Sequence, residues 1–190
     1  MKFAKRMDCF GEGVFSTLAD IRRKKEEAGE RVIDLSIGAP NVPPAEHIRR
    51  ALCEAAADEK NYVYAISDRP ELLEAAAGWY ARRYGVTLDP DTEICSVLGS
   101  QEGLAHIALS LSIVDEGDTV LVPDPCYPVF GDGPRIAGAR IWSMEQKREN
   151  GYVIRLDEIP EEVAQKARLM VVSYPNNPTT ALAPDSFYEE

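Results

Sequence analysis

The sequence predicts an α/β fold: three layers, with a mostly parallel sheet between helices. Two observations carry this. From residue 94 onward, short apolar runs alternate with helical stretches, the pattern of strand–helix–strand units. The run Leu169–Val172 is also continuously apolar, as in a strand covered on both faces.

The chain reads in order as follows. Residues 1–15 have no clear period and read either as an arm lying across a partner or as a frayed terminus. Ser16 can cap a helix that runs through Leu18 and Ile21 and stops near Gly29. Residues 32–37 form a short extended segment that enters the Pro-rich turn Gly38-Ala39-Pro40-Asn41-Val42-Pro43-Pro44. Pro44 suits the first turn of a helix over residues 45–58. Pro70 opens another, ending near Gly85. Strands are expected at 94–98, 119–122, 140–142 and 169–173. Helices are expected at 101–114, 128–137 and 157–166, with an extended piece at 152–154.

Composition narrows the function. The chain has 190 residues, 45% hydrophobic and 28% charged, enough for one domain with a core or one domain plus part of another. Its net charge of −11 is dispersed, which disfavours nucleic acid and anionic membrane surfaces as partners. No apolar run approaches a membrane span, and the first residues lack the apolar core of a signal peptide. Cys9, Cys53, Cys95 and Cys126 are widely spaced, and His47 and His106 are too scattered for a zinc set. Reduced cysteines in a cytoplasmic protein without structural metal are the expectation.

Three strand ends carry distinctive turns: Gly99-Ser100-Gln101, Pro125-Cys126-Tyr127-Pro128 and Asn176-Asn177-Pro178-Thr179. In a parallel sheet all three fall on the carboxyl edge, where open α/β sheets bind ligands. Gly99-Ser100-Gln101 opens a helix, so its free N–H groups can seat a phosphate; read alone, an ordinary turn with Ser as cap is the commoner meaning of these residues. GxGxxG is absent, which argues against a dinucleotide domain. Tyr127 can stack on a flat heteroaromatic ring or be a half-buried core residue. The Asn177 amide can donate to a phenolate oxygen, and a cis bond to Pro178 would aim it into the crevice; Asn-Asn-Pro is also simply a favoured turn.

These blocks, together with Tyr64-Ala65-Ile66-Ser67-Asp68-Arg69-Pro70-Glu71-Leu72 and Trp79-Tyr80-Ala81-Arg82-Arg83-Tyr84-Gly85-Val86, occur in an order that resembles the N-terminal half of class I/II aminotransferases. These are pyridoxal 5'-phosphate (PLP) enzymes of fold type I. The resemblance runs from about Gly11 to Glu190 and is strongest to the branch containing LL-diaminopimelate aminotransferases. It implies an N-terminal arm and small-domain segment at 1–45, then a truncated large PLP-binding domain at 46–190. By position it implies that Ser100 and Gln101 bind the cofactor phosphate, Tyr127 stacks on its ring and Asn177 bonds its 3-oxygen. It also implies that Tyr64 reaches the phosphate of the partner's cofactor in a homodimer, and that Gly38 contacts the substrate α-carboxylate.

Two departures qualify it. Thr180 stands where the family usually has glycine, and a Cβ there would strain a left-handed turn. In the family the Schiff-base lysine, the acidic partner of the pyridine nitrogen and the main carboxylate-binding arginine lie beyond residue 190. Lys2, Lys5, Lys24, Lys25, Lys60, Lys147 and Lys166 follow no matching motif. The expectation is therefore a portion of an enzyme that exchanges an amino group between an amino acid and a 2-oxo acid, with no catalytic lysine of its own and inactive alone. The alternative is a non-catalytic protein of that fold that binds a phosphate ligand or dimerises. Either way, a sheet lacking later strands should leave an edge and a face exposed.

Overall fold

The structure is a computed structural model that describes residues 2–11, 13–36, 38–110 and 113–190. It divides into two compact units, Met1–Cys9 with Val97–Glu190, and Phe10–Ser96. The boundary expected at residue 45/46 falls inside the second of these.

The Phe10–Ser96 unit holds helices α1 (Val14–Glu27), α2 (Glu46–Ala57) and α3 (Pro70–Tyr84), none with a buried residue. α1 begins two residues before Ser16. Its N-cap is Gly13, whose carbonyl accepts the Thr17 N–H, so Ser16 lies inside the first turn and does not cap it. Pro44 precedes Ala45, the N-cap of α2, and so stands outside that helix. Pro70 does open α3, and Gly85 closes it in the left-handed conformation at φ 69°. Residues 32–36 join no sheet, and Ile37 lies outside the described residues.

The other unit contains the sheet. Its elements are α4 (Ser100–Ser110), β1 (Thr119–Asp124), α5 (Val129–Ile136), β2 (Arg140–Glu145), α6 (Glu161–Ala164), β3 (Ala167–Met170) and α7 (Asp185–Glu189). The strands run parallel in the order β2-β1-β3, with Val120 opposite both Ile141 and Leu169. β1 is central, and Val120, Leu121, Val122 and Pro123 are buried. Side chains alternate across it. Val120 and Val122 pack with Ala108, Val114, Val129 and Phe130, which brings α4 and α5 to one face. Leu121 packs with Met144, Ile154 and Phe187 on the other. These are the three expected layers.

Four expectations need correction. Ile94–Leu98 has no ladder partner among the described residues and is not a strand. β3 starts two residues earlier than expected and is an edge strand in which Arg168 is exposed, so the doubly covered strand is β1 alone. The helix expected at 157–166 is broken into a 3-10 turn, Leu156–Glu158, and the short α6. Pro160 lies between them, and the residue before a proline is driven out of the helical region. Of the extended piece expected at 152–154, Tyr152 instead closes a turn at φ 60°, and Ile154 enters the core. α4 ends at Ser110, and the expected continuation through 111 and 112 lies outside the described residues.

Large apolar side chains remain uncovered: Leu98 is 97% exposed and Ile66 90%. Ile66 belongs to the Phe10–Ser96 unit and Leu98 to the segment before α4, so neither lies on the sheet.

Candidate functional site

Parallel pairing sets the carboxyl ends of β1 and β3 side by side, and Val171 N–H extends the ladder to Leu121 O at 2.9 Å. Gln146 N–H, just past β2, reaches Asp124 O at 2.7 Å. The turns after all three strands therefore meet at one edge.

Ser100 is the first residue of α4 and is exposed, and Gly99 before it takes φ 103°. The first N–H groups of a helix have no acceptor inside it and mark the positive end of its dipole. Glu102 folds back so that its carboxylate accepts Leu98 N–H at 2.6 Å, which fixes the chain entering the helix. Gln101 is exposed on the same turn, and Tyr127 donates its hydroxyl to Gln101 Oε1 at 3.0 Å. The Tyr127 ring is half-buried, edge-on to Phe130 with centroids 6.1 Å apart. Ser100, Gln101 and Tyr127 are thus gathered together although they come from different segments.

Burial, and then the nearby Asp124 carboxylate, pushes the Cys126 thiol up to about 11. Cys126 is therefore a protonated, inert side chain beside Tyr127 and not a nucleophile.

Asn177 is exposed and its bond to Pro178 is cis. The residue that sequence reasoning missed is its neighbour. Asn176 is 1% exposed, and its Nδ2 bonds Gln146 Oε1 at 2.7 Å and the Pro125 carbonyl at 3.1 Å. Two adjacent asparagines look alike in sequence; the burial of one against Pro125 O and Gln146 separates them. Thr180, next in that turn, takes φ 59°, the left-handed conformation its missing glycine would have favoured.

Tyr64 and Gly38 belong to the Phe10–Ser96 unit. Tyr64 lies in a connection between helices and is 91% exposed. Gly38 is exposed, with nothing within 4 Å of where a Cβ would stand. Among the described residues no group of three or more His, Cys, Asp or Glu is placed to hold a metal ion, and no helix is long and apolar enough to cross a membrane.

Known proteins resemble this chain in sequence and in fold. The family model for aminotransferase class I and II matches residues 30–190. An LL-diaminopimelate aminotransferase from Dehalococcoides mccartyi strain 195 is 39% identical over 191 residues, covering all of this chain and 49% of that protein. The structure of apo-BacF from Bacillus subtilis superposes with a TM-score of 0.88 at 34% identity, covering 99% of this chain and 48% of that one. A probable N-succinyldiaminopimelate aminotransferase from Thermus thermophilus gives a TM-score of 0.84 at 38% identity, covering 93% of this chain and 47% of that one. The chain spans about half the length of the curated relatives it matches. With the matched residues running through every strand and turn of the sheet unit, the chain belongs to the aminotransferase class I and II family.

Proposed function

We propose that this chain is the N-terminal, cofactor-cradling part of a PLP-dependent aminotransferase that moves an amino group between an amino acid and a 2-oxo acid. The observation that carries the reading is the 3.0 Å bond between Tyr127 and Gln101, which sets an aromatic face beside a helix N-terminus. That pair suits a phosphate and a flat ring at once. When bound, PLP supplies the electron sink for the substrate's α-carbon.

The chain's own residues have holding roles. The N–H groups at Ser100 and the Gln101 amide bind the phosphate dianion. Tyr127 orients the ring by stacking and excludes water from its face. Asn177 donates from its amide to the ring's 3-oxygen and so stabilises that oxygen's ionised form. Tyr64 reaches the partner's phosphate in a homodimer, and Gly38 presents main-chain N–H to the substrate carboxylate. The reactive amine comes from outside these 190 residues. Residues 1–45 serve as arm and small-domain segment and 46–190 as part of the large domain, a division that rests on the family pattern. The substrate branch is that of diaminopimelate-type amino acids, as the names of similar proteins suggest. A cytoplasmic location fits the free thiols of Cys53, Cys95 and Cys126.

The test is to mix the chain with PLP, reduce with borohydride and weigh it, alone and joined to a C-terminal half. The expected result is no pyridoxyl-lysine on residues 1–190, and transaminase activity only in the joined protein. A pyridoxyl group on a lysine of this chain, or a joined protein that binds no PLP, overturns the reading.

A further inference from the structure

Asn176 and Gln146 are polar side chains buried to 1% and 4% exposure beneath the proposed site. Buried amides persist where their hydrogen bonds are supplied. The Nδ2 of Asn176 reaches Gln146 Oε1 at 2.7 Å, Pro125 O at 3.1 Å and Thr179 Oγ1 at 3.1 Å. Its Oδ1 is buried without a partner among the described residues, so the amide is held in place by its donors. Gln146 in turn donates Nε2 to the Tyr174 hydroxyl at 3.4 Å, and that oxygen accepts Ile154 N–H at 2.8 Å. The Asn176 main chain closes its own turn: its N–H reaches Ala181 O at 3.0 Å, and its carbonyl accepts Thr180 N–H at 2.6 Å.

One side chain thus ties together the turns after β1, β2 and β3. Tyr127 lies two residues past Pro125, and Asn177 directly follows Asn176. We propose that Asn176 and Gln146 are positioning residues that fix the Asn177 amide relative to the Tyr127 ring, so that the two meet one flat ligand at the correct separation. The inference rests on the PLP reading given above. It differs from a purely structural role because it requires Asn176 to act through Asn177.

The test uses the joined, full-length protein loaded with PLP and follows the bound cofactor's absorbance against pH, alongside thermal melts. Asn177→Ala removes a donor to the 3-oxygen, so the absorbance midpoint is expected to rise by about one pH unit. Asn176→Ala is expected to move it in the same direction, and the double variant no further than Asn177→Ala alone. Gln146→Met, close in volume, gives a smaller rise and carries the test if Asn176→Ala does not fold. An Asn176→Ala shift that adds fully to that of Asn177→Ala, or lower melts with unmoved midpoints in the folded variants, overturns the inference. A wild-type protein with no cofactor band overturns the PLP reading itself and is recognised by that absence.

Discussion

Tyr127 and Gln101, 26 residues apart in sequence, are joined by a 3.0 Å hydrogen bond in which the tyrosine hydroxyl donates to the glutamine Oε1. The bond orients the amide, leaving its Nε2 hydrogens as donors for an anion at the α4 N-terminus. Tyr127→Phe keeps the stacking face and removes this restraint. The expected loss in affinity for PLP is about 3–10-fold, the scale of one neutral hydrogen bond. Tyr127→Ala loses the face as well and is expected to cost more. Fluorescence titration of the joined protein with PLP separates the two; a Tyr127→Phe protein that binds as tightly as wild type would mean that the hydroxyl contributes nothing, and equal losses that the face contributes nothing.

Thr180 is a β-branched residue at φ 59°, where a Cβ crowds the following carbonyl. Its side chain is exposed, so replacement forfeits little packing. Thr180→Gly relieves the strain but adds freedom to the unfolded chain. The net expectation is a gain of about 0.5–1 kcal/mol, or a melting temperature higher by about 2 °C. Calorimetry of the two proteins checks it, and an unchanged or lower melt would refute the strain.

Much of this was legible in the sequence. The apolar run at Thr119 marked a strand, though not that it is the central one, and Pro70 and Gly85 bracketed α3 as their backbone preferences require. Other features depended on tertiary partners. Leu169–Val172 is apolar enough for a doubly covered strand, yet composition does not say whether a neighbour is present, and here β3 is an edge. Ile94–Leu98 reads as a strand and finds no ladder among the described residues for the same reason. Pro160 splits the helix expected at 157–166, because the residue before a proline leaves the helical region. The turns that carry Ser100, Tyr127 and Asn177 were recognisable as turns. The burial of Asn176 was not, because its hydrogen bond is to Gln146, 30 residues away.

Asp34 offers a test by acid. Hydrogen bonds from the Ser36 hydroxyl and backbone N–H, and then from Arg22, hold its carboxyl down at about 2, below the ordinary 3.8. A carboxylate depressed in the folded state stabilises above its unfolded value and loses that contribution as pH falls toward the folded one. The window therefore runs from the ordinary 3.8 down to about 2. Asp34→Asn is expected to flatten the fall in melting temperature across it. Ser36→Ala should flatten it more than Arg22→Gln, because serine is the larger cause. Identical curves for wild type and Asp34→Asn would exclude this origin.

Cys126 is half-buried with a raised thiol, whereas Cys53 and Cys95 are exposed. Alkylation needs both thiolate and access. In mildly alkaline buffer iodoacetamide is expected to modify Cys53 and Cys95 well before Cys126, and unfolding in guanidinium should abolish the difference. Peptide mass mapping over time reads this directly. Early labelling of Cys126 would show that the turn beside Tyr127 opens in solution.

Two glycines in α5 face different neighbours and give opposite expectations. A Cβ on Gly133 would stand 2.6 Å from the Ala105 carbonyl oxygen and 3.0 Å from its Cα, both backbone atoms of α4. Neither can move without separating the helices, and both helices also pack on the Val120–Val122 face of the sheet. Gly133→Ala is expected to destabilise by about 1–3 kcal/mol, the cost of overpacking a close contact. A Cβ on Gly131 would meet only the Arg135 guanidinium, its Nη1 at 2.8 Å. That group ends a flexible side chain, paired with Asp132 at 3.3 Å, and it can swing away. Alanine also favours a helix over glycine by about 1 kcal/mol, so Gly131→Ala should be near neutral. Urea denaturation of both variants checks the contrast. If Gly133→Ala were as mild as Gly131→Ala, α4 and α5 would not pack as closely as described, and the seat of Ser100 at the head of α4 would lose its support.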